Sequence, residues 1–265
     1  MASRSTFIGR VANDRLGNLF RHDIKGIGVT FRTPPTMIAT GETSRSLVLV
    51  TPDGQRTMLT YLGCSPRIEI DDIDAQAIKT SKILHLEGYL FDDPQSKAAL
   101  EEAVSLASAA GKLISFALPD SFRVHSHRRE MLALVRSSVD VLFASESEIL
   151  ALYQAINFEE TARSVAADVD LAVLTRSEKG SVVVSNGETI VVPAENVPSV
   201  VDATGAGDLY AAGFLYAMTH DTDLESAAML GDFAAAEIIM QFGARPEISL
   251  RHLAGLRDQF RSLVG

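Results

Sequence analysis

The chain has one cysteine and no tryptophan, and its hydrophobic runs are all too short to cross a membrane. With Cys64 alone, no internal disulfide can form, which fits a reducing cytoplasm. The first residues contain no hydrophobic signal-peptide core. Basic residues are also scarce, because 24 Lys and Arg face 34 Asp and Glu, for a formal net charge of −10. This acidic balance argues against general binding to nucleic acid or to anionic membranes. We therefore expect a cytoplasmic protein without a nucleic-acid or membrane partner.

Two common nucleotide-binding motifs are missing as well. No Gly-x-x-x-x-Gly-Lys-Ser/Thr loop occurs, which excludes the usual P-loop. Gly26 and Gly28 lack the third glycine of a dinucleotide fingerprint, so an ordinary turn is the better interpretation. No nucleophile motif or dinucleotide fingerprint favours a phosphatase or a methyltransferase.

Short apolar strands alternate with helices through the middle of the chain. A hydrophobic content of 46% in 265 residues supports a sizeable core in one large α/β domain or two small ones. Strand–helix alternation predicts a parallel sheet covered on both faces, with ligands at the carboxyl ends of its strands. The predicted strands are 82–89, 112–118, 139–144 and 171–175.

Two hairpins and several helices complete the prediction. Pro52-Asp53-Gly54 separates strands 46–51 and 56–61, and Asn186-Gly187 separates strands 181–184 and 189–192. We also expect a short strand at 7–11, a helix from about residue 13 to 24, and long helices at 128–137, 208–219, 224–241 and 250–263. Acidic residues at 71, 72 and 74 are more typical of a solvated helix start than of a metal site, and His125 and His127 of a polar helix face.

The most informative stretch runs from Asp202 to Asp208, with the sequence Asp-Ala-Thr-Gly-Ala-Gly-Asp. Thr204 can cap the helix that follows, and the glycines keep side chains away from successive N–H groups at its start. Such a helix start holds an anion. A carboxylate beside it, Asp208, is useful there only if it takes a proton from a hydroxyl that attacks the anion.

This stretch, with Ala212-Gly213 behind it, resembles the C-terminal signature of the ribokinase-like (PfkB) carbohydrate and nucleoside kinases. The resemblance implies a three-layer α/β/α fold with a mostly parallel central sheet and a small β lid, here the hairpin at about 46–61. It implies that residues 1–265 form a single kinase domain. It also implies an anion hole of Gly205, Ala206 and Gly207, with Asp208 as the catalytic base that also contacts the substrate.

Further positions match the family by their order along the chain. The resemblance implies that Glu87 binds the substrate and that Glu148 helps to place Mg²⁺ indirectly. It assigns the nucleotide to Thr175, Ser177, Gly180, Thr204 and Ser145, and a monovalent cation such as K⁺ to Asp202. Arg176 or Lys179 could supply positive charge near ATP, although a loop lysine is more often simply solvated.

The sequence departs from the family pattern in three places. Ser145 replaces the usual Asn, and Ser177 stands where a glycine is commoner. The passage Phe7 to Gly17 resembles one that lies well inside family members, and the sugar-binding strand and Gly-Gly-x-x-x-Asn stretch that precede it there are not in this sequence. We therefore expect the domain to be N-terminally incomplete, with a shortened relative as the alternative.

The expected activity is transfer of the γ-phosphate of Mg·ATP to a hydroxymethyl group of adenosine or a ribose-like sugar. Leu86 to Tyr89 and Gly243 to Pro246 favour the adenosine kinase and sugar kinase branch, without excluding fructose or deoxygluconate types. The alternative is a catalytically impaired relative that binds nucleotide or sugar without turnover. Family lid strands often pair between subunits, so a homodimer is the default expectation.

Overall fold

The computed structural model describes residues 4–37, 39 and 41–264, with backbone only for 262–264. Its strands are β1 (Arg45–Val50), β2 (Arg56–Tyr61), β3 (Ile83–Glu87), β4 (Leu113–Ala117), β5 (Val141–Ser145), β6 (Leu171–Thr175), β7 (Ser181–Ser185) and β8 (Glu188–Val192). Its α-helices are α1 (Arg15–Gly26), α2 (Ala75–Thr80), α3 (Pro94–Ala109), α4 (Ser121–Ser138), α5 (Glu146–Tyr153), α6 (Phe158–Val165), α7 (Ala206–Met218), α8 (Leu224–Ile239), α9 (Leu250–Gly255) and α10 (Asp258–Val264).

The central sheet has the strand order β3-β4-β5-β6-β7-β8. The first four strands run parallel, and β7 and β8 join them antiparallel through the Asn186-Gly187 hairpin. Because β3 to β6 are parallel, their carboxyl ends lie along one edge. The register places Glu87 beside Ala117 and Ser145 beside Thr175, which brings the residues after the strands to one side of the molecule.

Helices cover both faces of this sheet, which makes the three-layer α/β/α architecture that the sequence predicts. One hydrophobic core lies between the sheet and helices α3 to α6, and the other lies between the sheet and helices α7, α8 and α9. Helices α7 and α8 pack very closely, since a Cβ atom at Gly213 would lie 2.7 Å from the carbonyl oxygen of Leu230. This contact explains the small residues of α7.

The described residues before β3 contain α1, α2 and the two-stranded sheet of β1 and β2. The predicted strand at 7–11 is wrong: the structure assigns no strand to this segment, and the described residues show isolated parallel bridges on either side of it, from Thr6 to Thr30 and from Ala12 to Thr36. Its aromatic contacts explain its apolar sequence, because Phe7, Phe20 and Phe31 pack in T-shaped or tilted pairs with ring centroids 5.3–5.9 Å apart. The predicted hairpin at 46–61 is present as an antiparallel two-stranded sheet.

Two helix boundaries differ from the sequence prediction. Helix α4 begins at Ser121 rather than near residue 128, because Asp120 caps it by accepting a hydrogen bond from the Arg123 N–H, and His127 marks a kink inside it. The tail predicted as one helix is two, α9 and α10, with Leu256 as the C-cap of the first. Among the described residues, no helix is both long and apolar enough to span a bilayer.

Candidate active site

Asp202 is the buried anchor of the loop that precedes α7. Its Oδ1 accepts hydrogen bonds from the N–H of Thr204 at 2.9 Å and from the Thr204 hydroxyl at 2.6 Å, and its Oδ2 accepts one from the Gly243 N–H at 2.9 Å. Burial raises the pKa of this carboxyl, but the hydrogen bonds from Thr204 and Gly243 outweigh burial and hold it below its usual range. Asp202 therefore joins the loop to the chain beyond α8 as a carboxylate.

Gly205, rather than Thr204, is the N-cap of α7. Its φ of 85° lies in the left-handed region, and its lack of a side chain leaves room for Ala244, whose Cβ would otherwise be 2.9 Å away. The expectation that Thr204 caps the helix is wrong, because its hydroxyl is already bound to Asp202.

The start of α7 offers backbone donors to an open surface. The Ala206 N–H makes a long 3.4 Å bond to the Ala203 carbonyl, and helical bonding resumes with the Leu209 N–H to the Gly205 carbonyl at 2.9 Å. Between them, Gly207 is exposed, and a Cβ atom there would meet nothing within 4 Å. N–H groups and the helix dipole at such a site favour an anion.

Asp208 lies in the first turn of α7, at the exposed end of this helix. Partial burial and the nearby charge of Glu87 raise the pKa of its carboxyl, while His85 and Arg56 oppose that rise. A carboxyl of raised pKa beside a helix start is suited to accept a proton from a hydroxyl. Asp208 and Glu87 are 121 positions apart in the sequence, and the fold brings them close enough for the charge of Glu87 to raise the pKa of Asp208.

Ser145 and Glu148 form a capping box at the start of α5. The Glu148 N–H donates to the Ser145 hydroxyl at 3.3 Å, and the Glu148 Oε2 accepts from the Ser145 N–H at 2.8 Å. Burial raises the pKa of Glu148, and the carboxylates of Asp120 and Glu87 add to the rise. Glu148 therefore lies close enough to Glu87 to be affected by its charge. One of the Glu148 carboxylate oxygens already accepts the hydrogen bond that caps α5.

The loop from Thr175 to Gly180 lies beside that capping box. Ser177 has a φ of 52°, which explains why a glycine would also suit this position. At Gly180 the φ is 80°, and a Cβ would overlap the Val192 carbonyl oxygen at 2.0 Å. Two backbone hydrogen bonds close the loop. The Arg176 carbonyl accepts from the Lys179 N–H, and the Arg176 N–H donates to the Gly180 carbonyl.

Arg176 is paired with neighbouring side chains. Its guanidinium donates to both carboxylate oxygens of Glu146 at 3.0 and 3.2 Å, lies 3.4 Å from the Glu159 carboxylate, and stacks 3.9 Å above the Phe158 ring. Lys179 lies 3.9 Å from Glu146. Arg176 therefore holds the loop onto α5 and α6, and its expected positive charge near ATP stays a prediction.

The turn of the β1–β2 hairpin lies against the loop that precedes α7. The Gly54 carbonyl accepts a 3.4 Å hydrogen bond from the Ala203 N–H, and a side chain at Gly54 would collide with Val200 at 2.7 Å. Arg56, just after the turn, lowers the pKa of both Asp202 and Asp208 by its charge. Sequence reasoning did not single out Arg56, although its position after a turn of the lid-like hairpin is a signal.

Comparison with known proteins identifies the family of this chain. Residues 1–250 match the model of the pfkB family of carbohydrate kinases. The chain belongs to this family. It is therefore a carbohydrate or nucleoside kinase with the ribokinase-like fold.

Solved relatives of this kinase share its fold over nearly its whole length. An adenosine kinase from Sinorhizobium meliloti is 44% identical with a TM-score of 0.93, over 96% of this chain and 78% of that one. A probable sugar kinase from Rhizobium etli is 40% identical with a TM-score of 0.94, over 99% of this chain and 78% of that one. A relative by sequence, an ATP-dependent ribose-1-phosphate kinase from Halopiger xanaduensis, is 30% identical over 90% of this chain and 75% of its own length.

The described residues contain no group of three or more His, Cys, Asp or Glu side chains arranged to hold a metal ion directly. Asp72 and Asp74, considered above as metal ligands, instead pair with Arg10 at 2.7 Å and Arg32 at 2.8 Å. Asp74 also caps α2. A metal that arrives with ATP, held by phosphates and reached through water from Glu148, would need no such group.

Proposed function

We propose that this kinase transfers the γ-phosphate of Mg·ATP to a hydroxymethyl group of adenosine or of a ribose-like sugar. The observation that carries the proposal is the start of α7, where an open, side-chain-free surface at Gly207 lies next to the carboxylate of Asp208. Phosphoryl transfer needs this combination, because charge develops on the phosphoryl oxygens while a proton leaves the attacking hydroxyl.

Asp208 acts in this proposal as the general base. Its raised pKa brings its proton affinity closer to that needed at neutral pH. The N–H groups of Ala206, Gly207 and Asp208 stabilise the developing charge. Of these, Gly207 and Asp208 are the stronger candidates, since the Ala206 N–H has an acceptor within the loop.

The nucleotide is assigned to the carboxyl ends of β5 and β6. Ser145 and Thr175 are neighbours across these strands, which supports a shared site for the phosphates and the metal. We propose that Ser145, Thr175, Ser177, Gly180 and Thr204 line the nucleotide site, and that Glu148 holds water on Mg²⁺. The metal would neutralise phosphate charge.

The hydrogen bonds of Asp202 favour a structural role for this carboxylate over a role in binding a cation. Both of its carboxylate oxygens already accept hydrogen bonds from Thr204 and Gly243. These bonds account for its burial, and we assign no step of the reaction to K⁺.

Glu87 is proposed to bind the acceptor. Its carboxylate lies at the end of β3, is 46% exposed, and is close enough to Asp208 to raise its pKa. An acceptor hydroxyl held by Glu87 would thus lie near the base. The likeness to the adenosine kinase from Sinorhizobium meliloti supports a nucleoside, and the ribose-1-phosphate kinase supports a ribose-like sugar.

The test is ATP consumption with Mg²⁺ against adenosine, ribose, fructose and 2-deoxygluconate derivatives, for the wild type and the variant Asp208→Asn. We expect turnover with a ribose-containing acceptor and a loss of about 10²- to 10⁴-fold in Asp208→Asn. The matched control is Asp258→Asn, since Asp258 is also in the first turn of a helix, α10, but is 91% exposed and distant from the sheet edge in sequence. ATP binding without turnover of any acceptor would favour the impaired-relative alternative, and near-normal turnover of Asp208→Asn would exclude Asp208 as base.

We also propose that the lid strands pair two copies of this chain. Leu47, Leu49 and Leu59 on β1 and β2 are each more than half exposed, on a two-stranded sheet that is separate from the central sheet. Light scattering of the wild type and of Leu47→Lys/Leu49→Lys would show a dimer that becomes a monomer. A monomeric wild type would contradict this assembly.

A further inference from the structure

His85 is an imidazole at the candidate acceptor site that no step of the proposed reaction uses. It lies on β3 two residues before Glu87, so both side chains leave the same face of the sheet. Its Nε2 is 3.2 Å from the Glu87 Oε1, and its Nδ1 is 3.0 Å from the hydroxyl of Ser115 on β4. His85 thus joins the buried interior of the sheet to the carboxylate at its edge.

The hydrogen bonds define which nitrogen carries the proton in the neutral ring. An ionised Glu87 can only accept, so Nε2 must donate. Nδ1 then accepts, and the Ser115 hydroxyl donates to it. This assignment follows from the hydrogen-bond partners.

Two contacts hold the ring in place. Ser115 is fully buried, so its hydroxyl is a fixed partner. The ring also packs edge-on against Phe143 at 6.2 Å, and Phe143 packs in the same way against Phe214 of α7 at 5.6 Å. The imidazole is therefore attached to the core below α7, the helix that begins beside Asp208.

Glu87 has no comparable attachment of its own. Among the described residues, its side chain makes a hydrogen bond only with His85. A glutamate at a strand end without this bond would sample several rotamers, and each substrate-binding event would have to restrict it. The position of the Glu87 carboxylate therefore depends on the histidine.

We propose that His85 is a positioning residue, held by Ser115, which fixes the Glu87 carboxylate to receive a hydroxyl of the acceptor. This inference rests on the proposed function, because it takes Glu87 to be an acceptor-binding residue. It deepens that function by naming what orients the carboxylate.

The test compares steady-state kinetics of the full chain and its variants with varied acceptor and with varied ATP. His85→Phe keeps the aromatic contact with Phe143 but removes both nitrogens. We expect its KM for the acceptor to rise about tenfold, as for the loss of one hydrogen bond to a charged group, while its KM for ATP changes less than about twofold. His85→Gln, which can place an N–H near the position of Nε2, should recover most of the loss, and Ser115→Ala should show a smaller rise than His85→Phe.

His22→Phe is the matched control. His22 also lies 3.2 Å from a nearby carboxylate, that of Asp23, but its side chain is 86% exposed. It should leave both KM values unchanged. Thermal unfolding of every variant separates positioning from folding. If His85 were purely structural, its loss would lower the Tm and affect the KM for the acceptor and the KM for ATP alike, without rescue by glutamine.

Each outcome decides between the two proposals. If the wild type turns over an acceptor and His85→Phe leaves its acceptor KM unchanged, the positioning role is refuted while the proposed function stands. If the wild type neither turns over nor binds any acceptor by calorimetry, both proposals fail. If it binds an acceptor without turnover, a weaker acceptor Kd in His85→Phe and recovery in His85→Gln still support the positioning role, and an unchanged Kd refutes it.

Discussion

The two glycines at the start of α7 should respond in opposite ways to the same substitution. Gly205 has a φ of 85°, and a Cβ atom there would lie 2.9 Å from the Ala244 Cβ and 3.0 Å from its Cα. Gly207, two residues later, is inside the helix with an ordinary φ, and a Cβ there would meet nothing within 4 Å. Alanine substitutions at these two positions therefore separate the contribution of the loop to stability from its contribution to phosphate binding.

Gly205→Ala should destabilise the protein. The left-handed conformation costs a non-glycine residue about 1–2 kcal/mol. Overpacking against Ala244 adds about 1–3 kcal/mol, since a backbone atom must move. For a domain of this size, a total near 3 kcal/mol would lower the Tm by roughly 5–10 °C.

Gly207→Ala should do the reverse. Replacing a helical glycine by alanine stabilises by up to about 1 kcal/mol, because the unfolded chain has less freedom and the helix is favoured. The added methyl group would lie in the space that we assign to the transferred phosphate. Turnover should fall about 10²-fold, as when the phosphate loses contact with one oxyanion donor, while the Tm is kept or rises.

Thermal unfolding and ATP consumption, measured on the same two preparations, check both statements. An unchanged Tm in Gly205→Ala would refute the argument from the turn geometry. Full turnover in Gly207→Ala would show that the phosphate does not lie against this face of α7, even if Asp208 is essential.

Three other predictions follow from the carboxylates and the capping box. Asp208→Asn should raise the Tm at neutral pH. The folded protein raises the pKa of this carboxyl above 3.8, so ionisation of Asp208 costs the wild type stability as the pH rises. The gain in Tm should vanish below about pH 4, and a gain that persists there would contradict the reasoning. Asp202→Asn should have the opposite effect, because the folded protein lowers the pKa of Asp202. We expect a loss of about 1–3 kcal/mol in the free energy of unfolding at neutral pH, since the amide group is turned toward the Thr204 or Gly243 donors. This loss should shrink as the pH falls through the folded-state pKa of Asp202. An equal loss at all pH values would place the cause elsewhere. Ser145→Ala should lower the free energy of unfolding, measured with denaturant, by about 1 kcal/mol, because it removes the N-cap of α5. Ser145→Asn should keep this stability, since asparagine also caps helices. Equal stability of the two variants would mean that the cap is unimportant.

Local signals predicted the elements and the central loop. The strand–helix alternation predicted the parallel sheet, and the turn residues Pro52 to Gly54 and Asn186-Gly187 predicted both hairpins, because these signals act over a few residues. The Asp202 to Asp208 stretch predicted a helix with donors at its start for the same reason. The apolar segment Phe7 to Val11 was predicted wrongly, since a hydrophobic run does not show whether its partners are strands or aromatic rings.

The candidate site was predicted only in part. The strand ends predicted that Glu87, Ser145 and Glu148 lie along one edge of the sheet, and the register and the effect of Glu87 on Glu148 agree with this placement, whereas their roles in binding stay predictions. The sequence did not show that Arg176 binds Glu146, or that Arg56 acts on Asp208, because both depend on contacts between distant segments.

Sequence alone therefore determined which groups this kinase carries: a glycine-rich helix start, an acid within it, and a strand–helix alternation that places polar residues at the carboxyl ends of parallel strands. The tertiary structure alone decided how these groups are used, since it set the raised pKa of Asp208, the lowered pKa of Asp202 and the attachment of Glu87 to His85. The reason is physical. Backbone conformation depends mainly on neighbours in the chain, whereas charge and hydrogen bonding depend on distances across it, and those distances exist only in the folded protein.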